Sequence, residues 1–177
     1  MEAAKLVLLT LAALCGYGGV LGEVSACICP EAFTLGKPAV FGALPALLLG
    51  PLWGVIEFLV PSVFVGCALA MAAHFGERPT IKAFFFYRPL ACLVALTLLT
   101  ATVAGALGYY ANIMGAYPIL GPMESALPNT QHPLLAATWL AMIGSHLAVL
   151  VGGIILAFWT WKKRAIFEQM IREKSGR

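Results

Sequence analysis

The chain has 177 residues, 61% of them hydrophobic and only 11% charged, with a mean hydropathy of +0.91. Soluble domains carry roughly a quarter charged residues, and a fold this short could not hide so much apolar surface from water, so a soluble globular protein is excluded. The net charge of +3 comes without a dense basic stripe outside the C-terminal tail, which points to an anionic membrane surface and away from nucleic acid.

Four apolar runs stand out against the roughly 20 residues needed to cross a bilayer. The first, Leu6–Gly22, is short and carries Gly16, Gly18, Gly19 and Gly22. The second, Ala43–Phe75, contains Pro45, Pro51 and Pro61, and the third and fourth are Pro89–Ala111 and Leu134–Trp161. Backbone groups in lipid must be satisfied within their own segment, so each run is expected to be a helix. The predicted fold is all-α: a four-helix transmembrane bundle forming one integral membrane domain over residues 1–177.

The basic residues orient it. Lys5 precedes the first run, and Arg78, Lys82 and Arg88 separate the second from the third. Lys162, Lys163, Arg164, Arg172, Lys174 and Arg177 follow the fourth. Ten of the eleven therefore fall on one side, with only Lys37 on the other. The positive-inside rule places both termini in the cytoplasm.

The first run also has the shape of a cleaved signal peptide, with Lys5 as its basic start and Val24-Ser25-Ala26 as a small-residue cleavage site; adding Cys27 gives a lipobox-like sequence. Glu23, just upstream, argues for a retained helix. The outer loops, 23–42 and 112–133, hold turn signals at Tyr117-Pro118 and Gly121-Pro122. The inner connection, 76–88, brings Phe84-Phe85-Phe86-Tyr87 beside basic residues, a headgroup-level composition. In the tail, 162–177, Ile166, Phe167, Met170 and Ile171 share a helical face, and Glu168 and Arg172 form an i,i+4 pair. Either an amphipathic helix on the inner surface or a solvated polar tail fits that pattern.

Small residues mark expected helix contacts: Gly50 and Gly54; Ala101 with Gly105 and Ala104 with Gly108; and Gly144, Ala148 and Gly152. An ionisable group deep in a membrane helix is a functional hypothesis in its own right. Glu57 lies well inside the second run, on the face of Gly50, Gly54 and Pro61, and His146 lies inside the fourth at similar depth. A Glu57–His146 pair either relays protons or cations, or serves as a neutral hydrogen bond holding two helices in register. A bis-histidine haem site is excluded by depth, since His74 is about 17 residues, roughly 25 Å of helix, from that level; no cofactor is expected. Cys27 and Cys29, on the outer side with Glu23, Glu31 and His132, form a soft-metal candidate, for instance for copper, or alternatively a disulfide or two inert thiols. No nucleotide loop, Ser-His-Asp set or HExxH motif points to an enzyme.

The segment from Tyr17-Gly18 to Pro38, with Val24-Ser25-Ala26, Cys29, Glu31, Phe33-Thr34-Leu35-Gly36 and Pro38, resembles a family of uncharacterised bacterial multi-pass membrane proteins. Arg78-Pro79, Arg88-Pro89-Leu90, Gly108-Tyr109 and His146-Leu147 extend the similarity over most of the chain. The resemblance implies a retained first helix and a bacterial inner membrane, and it brings no activity. The family often has His where this chain has Leu21 and Lys37, which weakens an outer metal site. The sequence thus leads to a small accessory or packing subunit, with membrane-protein partners or a homo-oligomer in the lipid bilayer. Its alternatives are a transport component built on Glu57 and His146, and a metal or redox site at Cys27 and Cys29.

Overall fold

A computed structural model describes residues 1–38, 40–41, 44–76, 78–119 and 122–175. Gly42, Ala43, Gly121, Gly176 and Arg177 lie outside the described residues, as does the side chain of Arg172, so its pairing with Glu168 is not described. The helices are α1 (Glu2–Ile28), α2 (Glu31–Thr34), α3 (Ala46–His74), α4 (Tyr87–Ile113), α5 (Pro122–Ala126) and α6 (His132–Ser175). A 3-10 turn, Ala83–Phe86, leads into α4. No strand occurs among the described residues, and four of the helices are long and apolar enough to cross a membrane.

Two helices outrun their apolar runs by more than two residues at an end. Helix α1 starts at Glu2, whose carboxylate suits the positive end of the helix dipole and pairs with Lys5 at 2.7 Å. It continues past Glu23 to Ile28, because Ser25 and Ala26 are still packed in the core. Helix α6 passes the end of its apolar run at Trp161 without a break. Its buried face recurs at Met142, Ser145, Val149, Gly153, Thr160 and Arg164, so the segment after Trp161 continues the same stripe.

The chain packs as two antiparallel hairpins, α1 with α3 and α4 with α6, joined where α3 and α6 run side by side. The first hairpin is a glycine crossing. A Cβ on Gly18 would lie 2.5 Å from the Gly54 carbonyl oxygen, and one on Gly22 would overlap the Gly50 carbonyl. Lipid offers no hydrophobic drive between helices, so such close backbone approach supplies the attraction. In the second hairpin Gly108 meets Ala136 and Leu140, and Gly144 meets Ala104. Gly153 instead faces Val65 of α3 and lets the two hairpins close.

The buried hydroxyls of Thr10, Ser62, Thr97, Thr138, Ser145 and Thr160 each donate to the carbonyl four residues back, so they cost little in lipid. Pro51 and Pro61 lie within α3 and lack an N–H. Pro61 therefore leaves the Glu57 carbonyl without its helical donor.

At the opposite end Arg164 is fully buried. Its guanidinium donates to four carbonyl oxygens: Ala72 at 2.9 Å, Phe75 at 2.8 Å, Arg78 at 2.7 Å and Pro79 at 2.9 Å. These belong to the last turn of α3 and the connection after it, where carbonyls have no helical partner. The Ile81 amide serves the Ala73 carbonyl in the same way, at 3.3 Å. The negative end of the α3 dipole is the natural counter-charge for this cation.

Candidate functional site

The polar groups near the middle of the bundle come from α1, α3 and α6. Glu57 sits about 17 Å along α3 from its first residue. Its carboxylate pairs with Lys37, which descends from the connection between α2 and α3. The ammonium also lies 5.9 Å from the Trp53 ring centre, one helical turn above Glu57, and Phe41 stacks edge-on against that ring at 5.5 Å. Lysine can run its apolar stem along an aromatic face while its charge reaches a carboxylate. The pair is about one-fifth exposed on each side, so the charge that α3 carries into the bundle is met from the loop.

His146 lies beside Glu57 but touches its backbone, not its carboxylate. His146 Nε2 is 3.3 Å from the Glu57 carbonyl oxygen, the acceptor that Pro61 leaves open. His146 Nδ1 is 2.7 Å from the Met142 carbonyl oxygen, so a neutral ring can donate to one of these oxygens at a time. The ring packs on Phe58 with centres 4.5 Å apart, and Phe58 is edge-on to Tyr17 at 5.4 Å. Tyr17 Oη and Ser145 Oγ are 2.9 Å apart. The two intramembrane candidates thus meet, through a main-chain oxygen. Lys37 and Tyr17 complete the cluster; Lys37 is marked in the sequence as the sole cation on its side, and Pro61, four residues after Glu57, marks the open carbonyl that His146 meets, whereas no sequence signal points to Tyr17.

Tyr17 also forms part of the wall of a larger feature. An apolar groove of about 770 Å³ is lined by residues of α1, α4 and α6. Ala13, Gly16, Val20, Leu98, Gly105 and Tyr109 line it. It follows α1 from Ala13 to Ile28, about 23 Å along the helix. A Cβ on Gly16 would meet nothing within 4 Å.

Cys27 and Cys29 face different surroundings. Cys27 is exposed, whereas Cys29 is 1% exposed with its thiol 3.7 Å from the Glu31 carboxylate. Burial, with Glu31 adding to it, pushes the Cys29 thiol above its usual pKa. Among the described residues no group of three or more His, Cys, Asp or Glu side chains is arranged to hold a metal ion. His132 lies at the start of α6 with Nε2 buried and without a hydrogen-bond partner. No family model matches this chain, and no match was found among curated proteins or solved structures.

Proposed function

We propose that this is a multi-pass protein of a bacterial inner membrane, with both termini cytoplasmic, that serves as an accessory or packing subunit of a larger membrane assembly. The groove between α1 and α4 carries this reading. Within a bundle, two neighbouring helices normally close on each other; here they stay apart along an apolar channel walled partly by glycine and alanine. Small residues on an open, lipid-facing wall suit the close approach of another transmembrane helix, from a second copy or a different chain. Glu57 held by Lys37 is consistent with a packing role, because the pair removes a bare charge from the bundle.

Gly16→Leu tests the reading, because an added Cβ there meets nothing within 4 Å and the position lines the groove. Losing a helix-interior glycine should leave stability unchanged or raise it by up to about 1 kcal/mol. In mild detergent the wild type is expected to run as an assembly and Gly16→Leu as a monomer of equal or higher melting temperature. An assembly that Gly16→Leu leaves intact, or a monomeric wild type, would refute the subunit reading.

The orientation rests on ten of eleven basic residues lying on one side. A membrane-impermeant maleimide applied to intact spheroplasts should label Cys27. Cys29 should react far more slowly, because its thiol is buried and its thiolate forms only at higher pH. Cys27→Ser should therefore abolish most labelling and Cys29→Ser little of it. Labelling of Cys27 only in inside-out vesicles would reverse the orientation.

A further inference from the structure

At the end of the bundle that carries Lys5, Arg78 and Lys82, a second cavity of about 460 Å³ lies between the connection before α4 and the face of α6. Ile81, Phe85, Trp159 and Phe167 supply apolar lining, and Lys82 and Lys163 line it as well. Trp159, Lys163 and Phe167 are four apart and so share one face of α6. Between His146 and Lys162 that helix has no ionisable side chain, so Lys163 stands where the apolar span ends and headgroups begin.

Among the described residues the ion pairs at this end join Lys5 to Glu2 and Arg78 to Glu168; neither is made by Lys82 or Lys163, although the Lys82 charge acts on the Glu2 carboxylate from nearby. Glu2 is further engaged by the Ala83 amide at 3.2 Å, which fixes the start of the 3-10 turn next to Lys82. The Lys163 ammonium rests 5.3 Å from the Trp159 ring centre, at the cavity wall. Phe84 and Phe85 are both mostly exposed, as aromatic rings at a lipid interface are.

We propose that this cavity binds one anionic phospholipid, with its phosphate between Lys82 and Lys163 and its acyl chain against Phe85, Trp159 and Phe167. Two cations lining an otherwise largely apolar slot match a molecule that is anionic at one end and apolar at the other. A zwitterionic lipid offers the same tail without the net charge. A free phosphate offers the charge without using the apolar walls. The site is independent of the groove between α1 and α4. The cytoplasmic placement of this end decides only which leaflet supplies the lipid, so binding in detergent can fail or succeed whatever the orientation.

The test is native mass spectrometry of the full chain, delipidated and titrated with phosphatidylglycerol or phosphatidylcholine. One phosphatidylglycerol should be retained at energies that strip phosphatidylcholine. A lysine near an anionic headgroup contributes about fivefold in affinity, so Lys163→Gln should weaken binding about fivefold and the Lys82→Gln, Lys163→Gln double variant more than tenfold. Lys162→Gln, which removes the same charge from outside the cavity, should bind like the wild type. Replacing both cavity lysines with arginine should restore retention, which separates charge from folding. Equal retention of the two lipids, equal losses in Lys162→Gln and Lys163→Gln, or displacement by millimolar inorganic phosphate would each overturn the proposal.

Discussion

Arg164→Met is expected to destabilise the protein by about 3–5 kcal/mol, because it strands several buried carbonyl acceptors at about 1–3 kcal/mol each, less whatever relaxes to water. The size follows from what the side chain does. It supplies donors to four carbonyls, two of them at the end of α3 and two in the connection that follows. Methionine fills most of the volume but donates nothing, and each stranded buried acceptor costs about 1–3 kcal/mol unless it relaxes to water. Lysine should recover only part of the loss, because one ammonium cannot reproduce the planar fork that serves four oxygens. Arg78→Met is the comparison: Arg78 stacks on Trp161 at 4.7 Å and pairs with Glu168 at 3.3 Å, but is about one-third exposed, so it should cost much less. Unfolding of purified protein in mixed micelles measures all three. A loss below 1 kcal/mol for Arg164→Met would mean that the connection holds α3 and α6 together without it.

The second large effect is expected at the glycine crossing. Gly54→Leu should disrupt packing of α1 on α3 and cost about 3 kcal/mol, the upper range for overpacking, because the obstacle is backbone and cannot turn aside. Even the Cβ would run into the Gly18 carbonyl. Gly54→Ala should therefore already be clearly destabilised, while Gly16→Ala, one turn-face away and in open space, should be neutral or better. Equal melting temperatures for Gly16→Ala and Gly54→Ala would show that α1 and α3 do not approach as closely as described.

These two sites differ in how much of them the sequence announces. Gly50 and Gly54 are four apart inside an apolar run, which marks a helix contact before any coordinates are seen. Gly18 and Gly22 have the same spacing, but they sit among Gly16 and Gly19 and read simply as a glycine-rich segment. Only the antiparallel register distinguishes Gly18 and Gly22, which press on the α3 backbone, from Gly19, where a Cβ would meet the Val55 side chain, and from Gly16, where it would meet nothing within 4 Å. Arg164 is harder still. In the sequence it is one of six cations in a basic tail, and its company implies solvent. The clue is periodicity: Ser145, Val149, Gly153, Thr160 and Arg164 continue one face at helical spacing, so the core stripe does not stop where hydropathy does.

The Glu57 region divides in the same way. The depths of Glu57 and His146 follow from counting residues along two helices that run in the same direction. The partner of the Glu57 carboxylate does not, because Lys37 reaches it from a loop, and loop paths are not periodic. That His146 meets a main-chain oxygen follows from local chemistry at Pro61, which opens an acceptor four residues earlier. The four helices were legible because lipid imposes a length and a composition on each span. Their ends were less so, since α1 and α6 are prolonged by packing beyond the stretch that lipid requires.

Helix α6 is 44 residues long and unbroken, a rod of about 66 Å. That is roughly twice the thickness of a bilayer's hydrocarbon core. It carries His146 within the bundle, Arg164 under the end of α3, and Lys163 at the far edge, all on one continuous helix. Because no break separates them, their directions around the axis are set relative to one another. The bonds that hold Arg164 under the end of α3 therefore also decide which way Lys163 faces.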